Sequence, residues 1–197
     1  MTPGLAEQLT GKFGGEARTR LAAWQKFAGG LSIPAPGREA LSAKRERELL
    51  AVVNSFFNKV PFVDDLKHWG IVDYWASPAE MVASHGADCE DFSIAKYFAL
   101  KEIGIPIAKL RITYVKATRI NQAHMVLVYY PDEDADPLVL DNLEDAIRPA
   151  SQRPDLIPVY AFNDDDVRIV KSGARANPTQ IRVWRGLLDK LERERRT

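Results

Sequence analysis

Cys89 is the only cysteine of the chain, and it lies among acids in the segment Gly86-Ala87-Asp88-Cys89-Glu90-Asp91-Phe92. A cysteine that merely fills space usually lies in an apolar run and behaves as a small hydrophobe. Here a helix is predicted to begin at the thiol, where unpaired backbone N–H groups and the helix dipole favour negative charge. A thiolate at that position can attack a carbonyl carbon, and the same N–H groups can bind the oxyanion that forms.

A cysteine nucleophile also needs a base and a group that orients the base. His124 opens the apolar run 124–130 and so projects from a rigid strand, whereas the other two histidines lie in a polar stretch and in a turn, at His68 and His85. Asp141 ends the next apolar run. If the two runs form a hairpin around the acidic turn 131–137 with His124 facing Asp141, the two side chains become near neighbours on one face. Cys89, His124 and Asp141 are therefore the candidate catalytic residues, and Asp141 would accept a hydrogen bond from the imidazole.

The acids around the cysteine, Asp88, Glu90 and Asp91, work against a thiolate, because like charges raise the pKa of a thiol. In one interpretation they serve only the helix, with Asp88 as its N-cap and the others complementing its dipole. In the other they bind a hard cation, and three carboxylates with added backbone carbonyls suit calcium. Zinc does not fit, because no further set of Cys and His ligands is available. Nearby acids are additional candidate ligands, although nothing in the sequence ties them to the site: Asp64, Asp65 and Asp73.

The elements that must position these side chains follow from the hydrophobic periodicity. The pattern predicts helices over about 16–28, 38–58, 77–85 and 88–102, and a final helix from about 177. It predicts strands over about 108–115, 124–130, 138–142, 159–162 and 167–170. The sequence Ser77-Pro78-Ala79-Glu80 predicts a capping box. Helices followed by antiparallel strands indicate an α+β fold, with residues 1–15 loosely ordered, a rigid connection at residues 34–37, and a single domain over residues 16–197.

The composition narrows the classes of function. A chain of 197 residues can bury one good core. Its 27 basic and 27 acidic residues balance, so no global positive field favours nucleic acid as a partner. No apolar run approaches the roughly 18 to 20 residues that span a bilayer, which argues against membrane insertion. Residues 1–5 lack the basic and apolar regions of a signal peptide.

Taken together, these residues resemble the transglutaminase-like core of the papain-like cysteine enzymes. The chain is most similar to the bacterial transglutaminase-like cysteine proteinases of the LapG type. The resemblance covers about residues 45–170, and four segments carry it: Asp73-Tyr74-Trp75-Ala76-Ser77-Pro78-Ala79-Glu80, Gly86-Ala87-Asp88-Cys89-Glu90-Asp91-Phe92-Ser93-Ile94-Ala95-Lys96-Tyr97, Ala123-His124-Met125-Val126-Leu127 and Leu140-Asp141-Asn142.

The resemblance implies a periplasmic, calcium-dependent protease that cuts a large surface adhesin at a di-alanine site near its N-terminus and so releases cells from a biofilm. It also implies control by an inner-membrane receptor for cyclic di-GMP, whose periplasmic domain sequesters the enzyme. In this family the residue matching Cys89 is the nucleophile, that matching His124 the general base and acid, and that matching Asp141 the orienting group. The resemblance implies further that the acids next to the cysteine bind calcium: Asp88, Glu90 and Asp91.

Two other functions are compatible with the same residues. A transglutaminase or amidase would form the same acyl-enzyme and differ only in whether an amine or water resolves it. A catalytically idle module that binds calcium or docks a partner would need the acids but not the triad. The presence of all three triad residue types argues against this second alternative.

Overall fold

The computed structural model describes residues 1–31, 41–132, 134–170, 172–178 and 181–197. The helices of these residues are α1 (Pro3–Phe13), α2 (Gly15–Gly30), α3 (Ala43–Phe57), α4 (Asp65–His68), α5 (Pro78–Ser84), α6 (Cys89–Glu102) and α7 (Arg182–Arg196). The strands are β1 (Leu110–Ala117), β2 (Gln122–Tyr129), β3 (Leu138–Leu140), β4 (Arg148–Pro149), β5 (Leu156–Phe162), β6 (Val167–Ile169) and β7 (Arg175–Ala176). The predicted α+β class is confirmed.

The seven strands form one antiparallel sheet in the order β4-β3-β2-β1-β5-β6-β7. The predicted pairing of the second and third strands is present, but its register differs from the expected one. Leu127 lies opposite Leu140. If this register is continued by one residue, Asp141 lies opposite Val126, whereas the expected hairpin had Asp141 opposite His124. The difference is an even number of residues, so Asp141 and His124 still lie on the same face of the sheet.

One continuous hydrophobic core joins the helices to the sheet. Helix α6 packs on β2 and also contacts α3 and α5. Trp184 of α7 is fully buried, and its ring lies 5.2 Å from that of Phe162 and 5.6 Å from that of Phe98. Burial of a large apolar side chain contributes about 1.5 to 3 kcal/mol. Within this core α6 packs directly on β2, and these two elements carry the cysteine and the histidine.

The first residues differ from the prediction of a loosely ordered segment over residues 1–15. Residues Pro3–Phe13 form α1, which Thr2 caps by accepting a hydrogen bond from the N–H of Leu5 at 3.2 Å. Leu5 and Leu9 are buried in the core. They are one helical turn apart, so α1 is stabilised by its packing against the rest of the chain. The glycine-rich and polar composition gave no sign of that packing.

The helix α4, of only four residues, was not predicted. The longer elements agree with the sequence patterns except at their ends. Helix α3 begins after Ser42, whose hydroxyl accepts the N–H of Arg45; the connection predicted at 34–37 and the first predicted helical residues, 38–40, lie outside the described residues. The final helix begins at Arg182, later than predicted. The two-residue strands β4 and β7 were missed, because strands of that length carry no periodicity. None of the described helices has the length and hydropathy needed to cross a membrane.

Candidate active site

Cys89 is the first residue of α6 and is partly buried. Its sulfur lies close enough to the backbone N–H of Met125 in β2 for that group to lower the pKa of the thiol. The thiol therefore lies against the strand at the residue that follows His124. This contact between the start of a helix and the middle of a sheet follows from the packing of α6 on β2.

His124 and Asp141 form a buried pair. Nε2 of His124 lies 2.8 Å from Oδ1 of Asp141, and the two residues are only 3% and 1% exposed. Because the carboxylate can only accept, Nε2 carries the proton and donates it. Nδ1 is thereby left as the imidazole nitrogen that can accept a proton from a thiol. The structure thus brings together the histidine and aspartate that the sequence singled out, on the strand that contacts Cys89.

Asp141 is surrounded by hydrogen-bond donors. Oδ1 also accepts the N–H of Leu143 at 3.0 Å, and Oδ2 accepts Nη2 of Arg153 at 2.8 Å. Burial alone would raise the pKa of Asp141, but the hydrogen bond and charge of His124, the Leu143 N–H and the Arg153 guanidinium hold it at about 2. Asp141 is therefore a permanent anion at neutral pH. Arg153 was not identified from the sequence, where no motif or periodicity marks it.

The thiol lies in an unfavourable environment for ionisation. Burial raises the pKa of Cys89 above its usual range, and the charges of Glu90 and Asp88 raise it further. The thiol also donates a hydrogen bond to Glu90 at 3.3 Å, which favours the protonated form. The Met125 N–H opposes these effects only in part. A thiolate at this position needs additional positive charge nearby.

Three carboxylates converge next to Cys89. Oxygen atoms of Asp65, Asp88 and Glu90 all lie within 4.8 Å of one another. Oδ1 of Asp65 and Oδ1 of Asp88 are buried and have no hydrogen-bond partner among the described residues. Burial and the neighbouring carboxylates raise the pKa of Asp88 to about 10, and burial raises that of Asp65 to about 6. Crowded, unpaired carboxylate oxygens are the ligands that calcium takes, so these residues fit that ion.

The interpretation of Asp88 as a simple helix cap is not supported. It occupies the N-cap position of α6, but its side chain accepts no hydrogen bond from the first turn of that helix. Its carboxyl group instead hydrogen-bonds with Glu90. Asp88 and Glu90 therefore face each other, and Asp88 does not cap the helix with its side chain.

Asp65 reaches this cluster through a local pairing of two loops. Phe62 and Ala87 form an isolated parallel β-bridge. The N–H of Val63 donates to the carbonyl of Ala87 at 2.8 Å, and the N–H of Ala87 donates to the carbonyl of Pro61 at 3.3 Å. This bridge sets the start of α4, with Asp65, beside the start of α6. The sequence offered Asp65 only as one of three nearby acids, with no evidence that it lies at the site. The bridge between Phe62 and Ala87 explains why Asp65 lies there.

Asp91, the third predicted calcium ligand, occupies a different place. It is fully buried, and its Oδ1 accepts the N–H of Ala76 at 2.7 Å. Its carboxylate is not a member of the group formed by Asp65, Asp88 and Glu90. Burial raises its pKa well above the usual range. In this structure Asp91 ties the first turn of α6 to the segment before α5, and its role as a ligand stays a prediction.

Lys96 is a second residue near the site that the sequence did not identify. It lies on α6 about two turns after Cys89 and is fully buried. Its Nζ has no hydrogen-bond partner among the described residues. Burial lowers the pKa of Lys96 to about 7, although Asp141 and Asp145 favour its charged form. The polar groups behind the catalytic pair thus include a buried amine as well as the Arg153 guanidinium.

Comparisons with known proteins show a matching family and similar solved structures. The model of the bacterial transglutaminase-like cysteine proteinases (BTLCP, Peptidase C93) matches residues 32–156. The structure is similar to that of EGTA-treated Legionella pneumophila LapG, with 37% identity and a TM-score of 0.79 over 96% of this chain and 97% of that chain. The calcium-bound form of LapG from the same organism has 36% identity and a TM-score of 0.77, over 97% of this chain and 99% of that chain. No curated protein matches the chain significantly by sequence.

Proposed function

The chain belongs to the bacterial transglutaminase-like cysteine proteinases, and from this we propose that it is a calcium-dependent endopeptidase whose catalytic residues are Cys89, His124 and Asp141. The observation that carries the proposal is the buried His124–Asp141 pair at 2.8 Å, in which His124 directly precedes Met125, the residue of β2 that contacts Cys89. A partly exposed thiol at a helix N-terminus next to an oriented imidazole is the arrangement that nucleophilic catalysis needs.

The proposed reaction begins when the thiol of Cys89 transfers its proton to Nδ1 of His124. The sulfur attacks the carbonyl carbon of the scissile peptide, and backbone N–H groups in the first turn of α6 stabilise the oxyanion. The C–N bond then breaks, and His124 returns its proton to the departing amine. Water attacks the remaining thioester while giving a proton to His124, and release of the carboxylic acid regenerates the thiol. Asp141 stays ionised throughout and stabilises the imidazolium.

The calcium requirement follows from the cluster formed by Asp65, Asp88 and Glu90. These residues would hold the ion, with Asp91 kept as a predicted fourth carboxylate. When bound, calcium supplies positive charge that offsets the repulsion among the carboxylates and between them and a thiolate. The structure of LapG in a calcium-bound form supports this part of the proposal.

We propose further that the substrate is a large surface adhesin, cut at a di-alanine site near its N-terminus, and that cleavage promotes dispersal of a biofilm. The enzyme would act in the periplasm and be sequestered there by the periplasmic domain of an inner-membrane receptor for cyclic di-GMP. Similarity to LapG over nearly the whole of both chains supports this extension. The sequence segments around Cys89, His124 and Asp141 support it as well.

The experiment that tests the proposal compares the wild-type protein with Cys89→Ala on an adhesin N-terminal fragment in calcium. We expect the wild type to release a product that begins within the di-alanine site, and Cys89→Ala to release none while unfolding at the same temperature. A substrate in which both alanines are replaced is the control for site specificity. Cleavage by Cys89→Ala at the wild-type rate would contradict the assignment of the nucleophile.

The same assay separates the alternative functions. With a labelled primary amine present, hydrolysis should remain the main outcome, and an amine adduct as the main product would indicate a transglutaminase. Iodoacetamide should alkylate Cys89 rapidly near neutral pH in calcium. Slow alkylation together with an uncut substrate would indicate a catalytically idle module.

A further inference from the structure

We infer that Arg153 is a positioning residue of the catalytic site. Arg153 holds Asp141 through Oδ2, so that Oδ1 of Asp141 stays directed at His124. The inference rests on the proposed function, in which the His124–Asp141 pair serves Cys89. It adds to the three predicted residues a fourth that acts through Asp141.

The contacts of Arg153 place its guanidinium between two carboxylates. Nη2 donates to Oδ2 of Asp141 at 2.8 Å and to Oδ2 of Asp155 at 3.0 Å, and Nε donates to Oδ1 of Asp155 at 3.1 Å. Arg153 is 4% exposed and Asp141 1%. Charge-assisted hydrogen bonds of this length in a buried site are strong and hold their geometry. The guanidinium is thus fixed from one side by Asp155 and fixes Asp141 on the other.

Asp155 is itself anchored to the sheet. Its carbonyl accepts both the N–H of Thr118, at 2.8 Å, and the hydroxyl of Thr118, at 3.1 Å. Thr118 directly follows the last residue of β1. The chain of contacts therefore runs from the end of β1 through Asp155 and Arg153 to Asp141, and it connects a strand end to the carboxylate that orients the base.

Asp141 needs such an anchor because it lies just beyond the end of β3, where ladder pairing stops at Leu140. The terminal torsion of an aspartate is broad and does not fix the carboxylate plane by itself. Oδ1 is shared by His124 and the N–H of Leu143, so the bond from Arg153 to Oδ2 sets the remaining degree of freedom. Without it, a buried carboxylate oxygen would be unpaired, and the carboxylate would turn toward other donors.

The geometry requires an arginine rather than a lysine. Two nitrogens of one planar fork contact the two aspartates, and the bonds to Asp155 set the plane from which Nη2 reaches Asp141. An ammonium group is a single point charge and cannot reproduce this fork. Arg153 also lines a cavity of about 490 Å³, whose walls include Arg119, Leu143 and Arg148. A small guanidine can enter that space if the arginine side chain is removed.

The test measures kcat and KM of Arg153→Ala on the adhesin fragment in calcium. We expect kcat to fall about 10- to 100-fold and KM to change by no more than about two-fold, since the lost bond orients the base and does not bind substrate. Millimolar methylguanidine should restore part of the lost kcat, and the kcat of Arg153→Lys should lie between those of the wild type and Arg153→Ala.

The matched control is Arg168→Ala in β6. This variant also removes a guanidinium that bonds to an aspartate two residues away, Asp166, and its kcat should equal that of the wild type.

A double-mutant cycle separates positioning from general stability. If Arg153 acts through Asp141, then Arg153→Ala should cause little further loss of kcat in an Asp141→Ala background. An equal loss in both backgrounds, or a wild-type kcat for Arg153→Ala, would overturn the inference. If Arg153→Ala does not fold, Arg153→Lys decides, because wild-type kcat in that variant would show that the fork is not needed.

A readout that needs no substrate distinguishes failure of this inference from failure of the proposed function. The rate of alkylation of Cys89 by iodoacetamide in calcium should fall roughly five-fold or more in Arg153→Ala, because a misoriented His124 no longer takes the thiol proton. If the wild type cuts no adhesin but Arg153→Ala still lowers this rate, the substrate assignment fails and the role of Arg153 stands. Equal alkylation rates in the two proteins would overturn the role of Arg153.

Discussion

The carboxylates of the candidate site have two opposite kinds of environment. Asp141 is surrounded by donors from His124, Leu143 and Arg153, so its pKa lies at about 2. Asp65 and Asp88 face other carboxylates instead, and burial raises their pKa values to about 6 and about 10. Asp141 is therefore an anion at neutral pH, whereas ionisation of Asp65 and Asp88 together is unfavourable unless a cation compensates their charges.

Substitution of Asp65 tests whether the acidic cluster binds calcium. Asp65→Asn keeps the size of the side chain and removes one charge from the cluster, so we expect calcium affinity to fall about tenfold or more. Isothermal titration with calcium measures the change. Asp73→Asn is the matched control, because Asp73 lies nearby in the sequence but accepts a hydrogen bond from Nε1 of Trp75 at 3.0 Å and is not in the cluster. Unchanged affinity for Asp65→Asn, or an equal loss for both variants, would exclude Asp65 as a ligand.

At the scale of elements, the site consists of two parts that meet at Cys89. The sheet supplies His124 from β2 and, just beyond the end of the neighbouring strand β3, Asp141. The loop bridge between Phe62 and Ala87 supplies the acidic cluster by joining the start of α4 to the start of α6. Gly86 lies inside this second part, against the imidazole of His68. A Cβ at Gly86 would lie 2.5 Å from Cε1 of that ring, so the close approach requires glycine.

Gly86→Ala should therefore disturb the metal-binding part and leave the sheet intact. We expect the free energy of unfolding to fall by about 1 to 3 kcal/mol, because the imidazole must move, and calcium affinity to fall with it. Urea unfolding and calcium titration measure the two effects. Gly186→Ala in α7 is the matched control, since nothing lies within 4 Å of its Cβ position, and it should be neutral or slightly stabilising.

A second substitution completes this test. Replacing His68 with Ala in the Gly86→Ala background removes the atoms that clash and should recover most of the lost stability. Failure of the double variant to recover, with calcium affinity unchanged in Gly86→Ala alone, would show that the contact does not position the cluster.

At the scale of the whole molecule, the final helix supports the region around the site from outside it. Lys190 in α7 donates to the carbonyl of Trp75 and to Glu80, both at 2.8 Å. Glu80 completes the predicted capping box with Ser77, and Glu194 accepts the hydroxyl of Ser77 at 2.7 Å. Residues beyond the family match at 32–156 therefore hold the segment that leads into α5 and, through Ala76 and Asp91, the first turn of α6.

The acidic cluster also makes the stability of the molecule depend on pH. Asp65 and Asp88 have folded pKa values raised above the ordinary value, so the folded state binds more protons than the unfolded state once the pH exceeds about 4. Without calcium, stability should therefore fall as the pH rises from about 5 to about 8. The lowered pKa of Asp141 acts only below about pH 4, outside this window.

Calcium removes this penalty, because it binds the deprotonated carboxylates. The increase in Tm caused by calcium should be larger at pH 8 than at pH 5, as measured by thermal unfolding in calcium and in excess chelator. Asp65→Asn should show a smaller dependence of Tm on pH in chelator than the wild type. A calcium-induced increase that is the same at both pH values would contradict the proposed coupling.

The sequence alone determined the parts of this protein that depend on neighbouring residues. The Ser77–Glu80 capping box, the helix that begins at Cys89, the strand that carries His124 and the strand that leads to Asp141 follow from caps and periodicity within short segments. For that reason the α+β class and the residues of the candidate triad were predictable. Helix α1 was not, because it is stabilised by contacts far along the chain rather than by its own composition.

Tertiary structure alone decided which side chains complete the site. The bridge between the loops brings Asp65 to Asp88, the hairpin register brings Asp141 to His124 along a diagonal, and a turn beyond β4 brings Arg153 to Asp141. Asp91, next to the cluster in sequence, turns toward Ala76 instead. Register and loop pairing are set by burial of the whole core, and a charged residue in a loop leaves no periodic pattern from which its partner can be predicted.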